Sequence, residues 1–259
     1  MPDQTVRHDV AGGVATITLD SPETRNALSV RLITDLYARL AEASADDAVR
    51  VVVLTGTGPV FCAGADLKAG GGTGVPGEKV PTLAEVITAI ETCPKPVVAR
   101  VNGKARAGGI GLIAACDLAI APESADFAFT EVRLGVVPAV IGAVVLPLLD
   151  RRSAQELFLT GATFDAARAV EIGLLTASAP DDRLDEVVDG YVQTLRLGAP
   201  NALAGTKTLL SGPATRATGP ERPALLAELA VLSRDYFESD EAREGIASWR
   251  ERRPASWTR

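Results

Sequence analysis

Residues 101–117, VNGKARAGGIGLIAACD, join a β-branched apolar run to an apolar helix-like run through a turn rich in glycine. The run before it, Pro96-Val97-Val98-Ala99-Arg100-Val101, has the composition of a strand buried between layers, and Ile110, Leu112, Ile113, Ala114 and Ala115 after it favour a buried helix. Gly108 and Gly109 therefore fall at or near the first turn of that helix. Missing Cβ atoms let another molecule approach the main chain, and unpaired N–H groups at a helix start favour negative charge. Such a turn can hold an oxyanion. The competing reading is a packing role, in which the glycines only let strand and helix come close. A dinucleotide site is set aside: Gly109-Ile110-Gly111-Leu112-Ile113-Ala114 formally fits its fingerprint, but residues 102–108 separate it from its strand.

The chain of 259 residues is long enough for a sizeable core, and 47% hydrophobic with 23% charged residues describes a soluble globular protein. Aromatics are only 4%, so Val, Leu, Ile and Ala must build that core. A net charge of −7 argues against a nucleic-acid footprint. The start, MPDQTVRHDV, has no charged segment followed by an apolar one, so no secretory leader is expected and a cytoplasmic location is. Residues 134–149 are uncharged but too short to span a membrane and contain Pro138 and Pro147, so they are expected to be buried. Cys62, Cys93 and Cys116 are scattered, which fits reduced thiols and no zinc site. His8 is the sole histidine and lies far in sequence from every glycine-rich turn, which argues against triads, Cys-His pairs and histidine-held metal.

In chain order, alternation predicts a half-buried strand over residues 14–19, and Leu32, Ile33, Leu36 and Leu40 an amphipathic helix from Ser29. Residues 49–55 form the clearest buried strand, stopped by Gly56-Thr57-Gly58-Pro59. A second glycine turn, Phe61-Cys62-Ala63-Gly64-Ala65-Asp66-Leu67, follows; it is either ligand-accessible or tightly packed. Residues 68–81, rich in glycine, suit a mobile flap, and their near-match to a phosphate loop fails at Glu78. Thr82 with Glu85 makes a capping box, as do Ser153 and Glu156, and residues 165–172 form a short helix closed by Gly173. Short strands are expected at residues 117–121 and 127–129, and helices dominate from Leu184 onward.

Among carboxylates, Glu131 stands out, because it follows Phe127-Ala128-Phe129 and precedes Val132, Leu134, Val136 and Val137. Such surroundings raise a carboxyl pKa and suit acid–base work. The alternative is a glutamate neutralised by Arg133 or Arg106. Asp117, also in an apolar run, is assigned structural hydrogen bonds.

The chain resembles the crotonase family, the enoyl-CoA hydratases and isomerases, through Arg25-Asn26-Ala27-Leu28, the Phe61 to Leu67 turn, Val101-Asn102-Gly103 to Gly108-Gly109, Thr130-Glu131-Val132-Arg133-Leu134-Gly135, Leu159-Thr160-Gly161 to Gly173-Leu174, and Glu244-Gly245 to Arg253-Pro254. The resemblance implies an α/β spiral of ββα units (residues 1–195) with a helical C-terminal region (196–259) that builds a homotrimer or a dimer of trimers. It implies an acyl-CoA thioester, with coenzyme A as part of the substrate and no permanently bound cofactor. By position, the N–H groups of Ala63 and Gly108 would form the oxyanion hole. Ala65, Asp66 and Leu67 would contact CoA, with Arg25 and Ala27 along its nucleotide end.

The chain departs from the two-glutamate hydratase pattern at Gly111, where the first catalytic glutamate would fall, and at Ala107, which replaces a common glycine. Glu131 is left as the single acid–base group. The expected activity is addition of water to a 2-enoyl-CoA, with some similarity to the branch acting on methylglutaconyl-CoA. A Δ3,Δ2-enoyl-CoA isomerase is the alternative enzyme, and an acyl-CoA-binding protein without turnover the alternative of another class.

Overall fold

The computed structural model of the chain describes residues 4–68, 80–212 and 222–258. The glycine-rich run expected to form a flap lies outside the described residues, apart from Lys68, Val80 and Pro81.

Strands β1 (Val6–Ala11) and β2 (Val14–Leu19) form an antiparallel hairpin, followed by helix α1 (Val30–Ala45). From there the chain repeats one move. Strand β3 (Val51–Gly56) is followed by β4 (Val60–Cys62) and helix α2 (Leu83–Thr92). Then come β5 (Val97–Arg100), β6 (Lys104–Arg106) and α3 (Gly108–Ala115), and after them β7 (Leu118–Pro122), β8 (Asp126–Ala128) and α4 (Ala139–Val145). The first strand of each pair joins one sheet, ordered β1-β2-β3-β5-β7 and completed by β10 (Ala177–Ala179). The second joins another, ordered β4-β6-β8 and completed by β9 (Phe164–Asp165). Because β3, β5 and β7 run parallel, as do β4, β6 and β8, each ββα unit lies one strand further along and the chain winds as a spiral.

The larger sheet is buried on both faces, which is why residues 51–54 are all apolar instead of alternating with polar ones. Val52 and Leu54 face the main core beside Ile17, Leu36 and Ile90. Val51, Val53, Val98 and Ile120 face Leu184, Val188 and Val192 of helix α7 (Leu184–Arg196). Two side-chain amides, fully buried Asn26 and half-buried Asn102, hold the corner between the sheets. Asn26 accepts from Ser21 N–H at 2.9 Å and donates to the Thr57 and Val60 carbonyls, while Asn102 accepts from Gly56 N–H and donates to Gly58.

The Thr82–Glu85 capping box forms as expected, and Asp165 caps α6 (Ala166–Glu171). The Ser153–Glu156 box does not. Asp150 caps α5 (Arg151–Thr160) by accepting from the N–H groups of Arg152 and Ser153, which leaves Ser153 inside the helix, where its hydroxyl accepts from Arg168. A second expectation also fails: residues 134–149 are not buried throughout. Ile141, Val144, Val145 and Leu149 are, but Leu134, Val136, Val137, Val140, Leu146 and Leu148 are exposed. Helix α4 presses one side against α3 and leaves an equally apolar side outward.

Helices α8 (Pro200–Ser211), α9 (Arg222–Phe237) and α10 (Asp240–Glu251) complete the chain. Lys207 of α8 reaches into the body, where its ammonium meets Asp117 at 2.7 Å and the carbonyls of Lys95 and Ile90. Asp117 also accepts from Val97 N–H, the structural role expected of it. Only Lys207 of the pair is buried, and removing it leaves Asp117 without its counter-ion. Lys207→Met is therefore expected to lower the free energy of unfolding by about 1.5 kcal/mol, the worth of a hydrogen bond to a charged group, read from the urea midpoint.

Candidate active site

Glu131 sits in a 3-10 turn, Thr130–Leu134, directly after β8. Fully buried Phe127 and Phe129 anchor that approach, Phe129 lying 4.2 Å from the ring of Phe158 and 5.8 Å from that of Phe164. Gly135, at φ 73°, closes the turn in the left-handed region, and Val136 N–H donates back to the Glu131 carbonyl. The carboxylate is thus held from both sides. Its Oε2 is buried and has no hydrogen-bond partner among the described residues. Arg106 pairs with Asp126 and Arg133 donates to the Thr160 carbonyl, so neither arginine neutralises Glu131. Burial raises its pKa above the ordinary glutamate value.

This carboxylate opens into a cavity of about 560 Å³ lined also by Leu28, Ala65, Ala107, Gly108 and Ile141. Two peptide N–H groups on that wall have no acceptor among the described residues. Gly108 is the first residue of α3, where a helix has no preceding turn to accept its N–H; the Ala107 carbonyl serves Ile110 and Gly111 instead. Ala65 lies on an isolated parallel bridge with Leu28, in which Leu28 N–H donates to Gly64 and Asp66 N–H to Leu28. Successive peptides of an extended segment point in opposite directions, so the Ala65 N–H faces the other way.

The expectation for Ala63 is corrected by the same pairing. Its N–H donates to the Arg25 carbonyl at 3.0 Å and is already spent. Ala63 does not line the cavity, whereas Ala65 does. Arg25, in a left-handed turn at φ 57°, is exposed, and Ala27 is buried just before Leu28, which bridges to Ala65. Asp66 accepts from Lys68 N–H and Leu67 is 65% exposed; none of these four residues lines the cavity.

The packing reading of the glycine turn holds at Gly109. A Cβ on Gly109 would lie 2.7 Å from the Cys62 carbonyl, so that glycine serves packing against β4. Gly108 lines the cavity, and its N–H has no acceptor among the described residues. Ala107, between them and β6, carries φ 48° and ψ −119°, a conformation open to glycine and strained for alanine. Its N–H donates to the Ala128 carbonyl, tying the start of α3 to the strand that leads into the Glu131 turn. Cys62, Cys93 and Cys116 are free thiols, and no trio of metal-ligating side chains gathers among the described residues. No helix among them is long and apolar enough to cross a membrane.

A family profile described as enoyl-CoA hydratase/isomerase matches residues 9–259. A curated relative from Rhodobacter capsulatus named "probable enoyl-CoA hydratase" is 34% identical, covering 100% of this chain and 99% of that one. The crystal structure of an enoyl-CoA hydratase from Mycobacterium avium is 41% identical with a TM-score of 0.72 over 99% of this chain and 100% of that one. That of an enoyl-CoA hydratase from Shewanella pealeana is 28% identical with a TM-score of 0.89, over 98% and 96%.

Two stability outcomes follow from this geometry. The folded chain binds the Glu131 proton more tightly than the unfolded chain, so the buried carboxylate destabilises the fold once pH exceeds its raised pKa. Glu131→Gln is expected to raise the urea midpoint near neutral pH, with the gain shrinking as pH falls toward the ordinary carboxylate range; a pH-independent difference refutes the burial argument. Ala107→Gly relieves backbone strain and is expected to stabilise by about 1 kcal/mol in the same assay.

Proposed function

We propose, for a chain that belongs to the enoyl-CoA hydratase/isomerase family and has its crotonase-like α/β spiral fold, that it adds water to a 2-enoyl-CoA thioester with Glu131 as the single acid–base group. The observation that carries this reading is the meeting, in one cavity, of Glu131, one of whose carboxylate oxygens has no partner among the described residues, and two peptide N–H groups without acceptors among them. The names of the relatives, enoyl-CoA hydratases, support hydration.

Glu131 takes a proton from water as the water oxygen bonds to C3 of the enoyl group. The C2=C3 π electrons move toward the thioester, and its oxygen gains negative charge against the N–H groups of Ala65 and Gly108. Protonated Glu131 then returns the proton to C2, and the carbonyl re-forms. Preorganised donors act where charge develops; loss of one typically costs on the order of 100-fold or more in rate. Coenzyme A enters as part of the substrate. We assign its nucleotide end to exposed Arg25, with Asp66 and Leu67 along the way and Ala27 contributing backbone only.

A second reading is a Δ3,Δ2-isomerase, in which Glu131 takes a proton from C2 of a 3-enoyl thioester and returns it to C4. Gly111 favours it, because no second carboxylate is present there to orient water. In either case α9, whose 16 residues include none that are buried, is proposed to pack against further copies of the chain, as a homotrimer or a dimer of trimers.

Wild type and Glu131→Gln are to be incubated with crotonyl-CoA, 3-methylglutaconyl-CoA and a 3-enoyl-CoA, with products identified by mass. Hydrated product from crotonyl-CoA with wild type, at least ~1,000-fold slower in the variant, is the expected outcome. Its rate should fall on acidification through a pKa above that of an ordinary glutamate. A 2-enoyl product from the 3-enoyl substrate alone selects the isomerase, and no turnover with retained acyl-CoA binding selects a binding protein.

A further inference from the structure

Gly111 faces α4 so closely that a Cβ built on it would lie 2.5 Å from Ile141 Cγ2 and 3.5 Å from Ile87 Cδ1. No side chain fits at position 111 unless Ile141 gives way. Ile141 has little room to do so. It is 3% exposed, sits in helix α4 where a β-branched side chain has one strongly preferred rotamer, and belongs to the main core. Yet it also lines the cavity that holds Glu131, Ala65 and Gly108. One side chain therefore supports the core and shapes the pocket.

We propose that Ile141 is the specificity-determining residue of this cavity: it fills the volume that a side chain at position 111 would need, and it forms the apolar wall against which the acyl group of the substrate lies. The inference rests on the reading of the cavity as an acyl-CoA site. The substrate class is a thioester with a wholly apolar acyl group, whose length and branching are set by the room beside Ile141. Among the described residues Glu131 is the only charged side chain lining the cavity. An acyl group ending in a second carboxylate would meet that anion and apolar walls, an unfavourable setting for an unpaired charge.

Saturated thioesters, which bind without reacting, separate recognition from turnover. Calorimetric affinities for butanoyl-CoA, octanoyl-CoA and glutaryl-CoA are to be measured with wild type, Ile141→Val, Ile141→Ala, Gly111→Ala and the Gly111→Ala/Ile141→Ala pair, with circular dichroism as the check on folding. The octanoyl-to-butanoyl affinity ratio is expected to rise from Ile through Val to Ala, by about 10-fold at Ala, since a methylene-sized change in a pocket is worth 10-fold or more. Gly111→Ala should weaken acyl-CoA binding, and the paired variant should recover it, because the two positions compete for one volume. Glutaryl-CoA should bind most weakly to wild type. A ratio unchanged in both Ile141 variants, or glutaryl-CoA binding as tightly as butanoyl-CoA, overturns the assignment of Ile141 while leaving the acyl-CoA site standing. Folded wild type that binds none of the three overturns both.

Discussion

Pairing between residues 25–28 and 63–66 decides which peptide groups remain free to act. Ala63 N–H is spent on Arg25, Asp66 N–H on Leu28, and the Gly64 carbonyl on Leu28 N–H, so the bridge consumes the groups on either side of Ala65 and turns its own N–H outward. The start of α3 works by the same economy. Ala107 gives its carbonyl to Ile110 and Gly111 and its N–H to Ala128, which leaves the Gly108 N–H without a partner among the described residues. Neither donor needs a special side chain. Each is what remains when the spiral's own hydrogen bonds have been made, and both are therefore as rigid as the sheets that hold them.

That rigidity explains the strain at Ala107. Its left-handed backbone is maintained because β6, β8 and α3 converge on it, with Gly64 close enough that a Cβ there would lie 3.0 Å from the Ala107 methyl. The same convergence brings Glu131 into register, since β8 ends three residues before it. Donor and base are thus coupled through one short strand, and a displacement of β8 would move both.

What could be read in the sequence and what could not divide along physical lines. Elements fixed by local chemistry were legible: the alternation of β2, the apolar run of β3, the Thr82–Glu85 box and the glycine start of α3 each depend on neighbours within a few residues. Glu131 was legible too, because its apolar flanks are in sequence. The errors lie where a partner far along the chain decides. Ala63 and Ala65 are indistinguishable by composition; their N–H groups point apart because the chain turns between them at Gly64, φ 86°, and the partners, Arg25 and Leu28, lie far along the chain. Residues 134–149 carry no charge, but hydrophobicity alone could not say that α4 would turn Val137 and Val140 outward. The Ser153–Glu156 pattern satisfied the capping rule, and Asp150 satisfied it three residues earlier. The fit of Ile141 into the space at Gly111 spans 30 residues of sequence and exists only once α3 and α4 are packed.

That fit also bears on charge. In the proposed reaction one unit of negative charge starts on Glu131 and passes toward the thioester oxygen, so the cavity holds a single anion throughout. A second glutamate at position 111 would place another anion beside the developing enolate in surroundings of low polarity, where like charges repel strongly. Its absence removes a group that could hold water, and it also removes that repulsion. Ile141 makes the exchange permanent, because the space cannot be refilled by a polar side chain or by more than a little solvent. With no other carboxylate lining the cavity among the described residues, burial among the same apolar walls is the main influence on the pKa of Glu131 and raises it, against a smaller lowering by a backbone hydrogen bond. Base strength and substrate choice are consequently two readings of one property of the pocket, and a substitution that admits water to enlarge the second will lower the first.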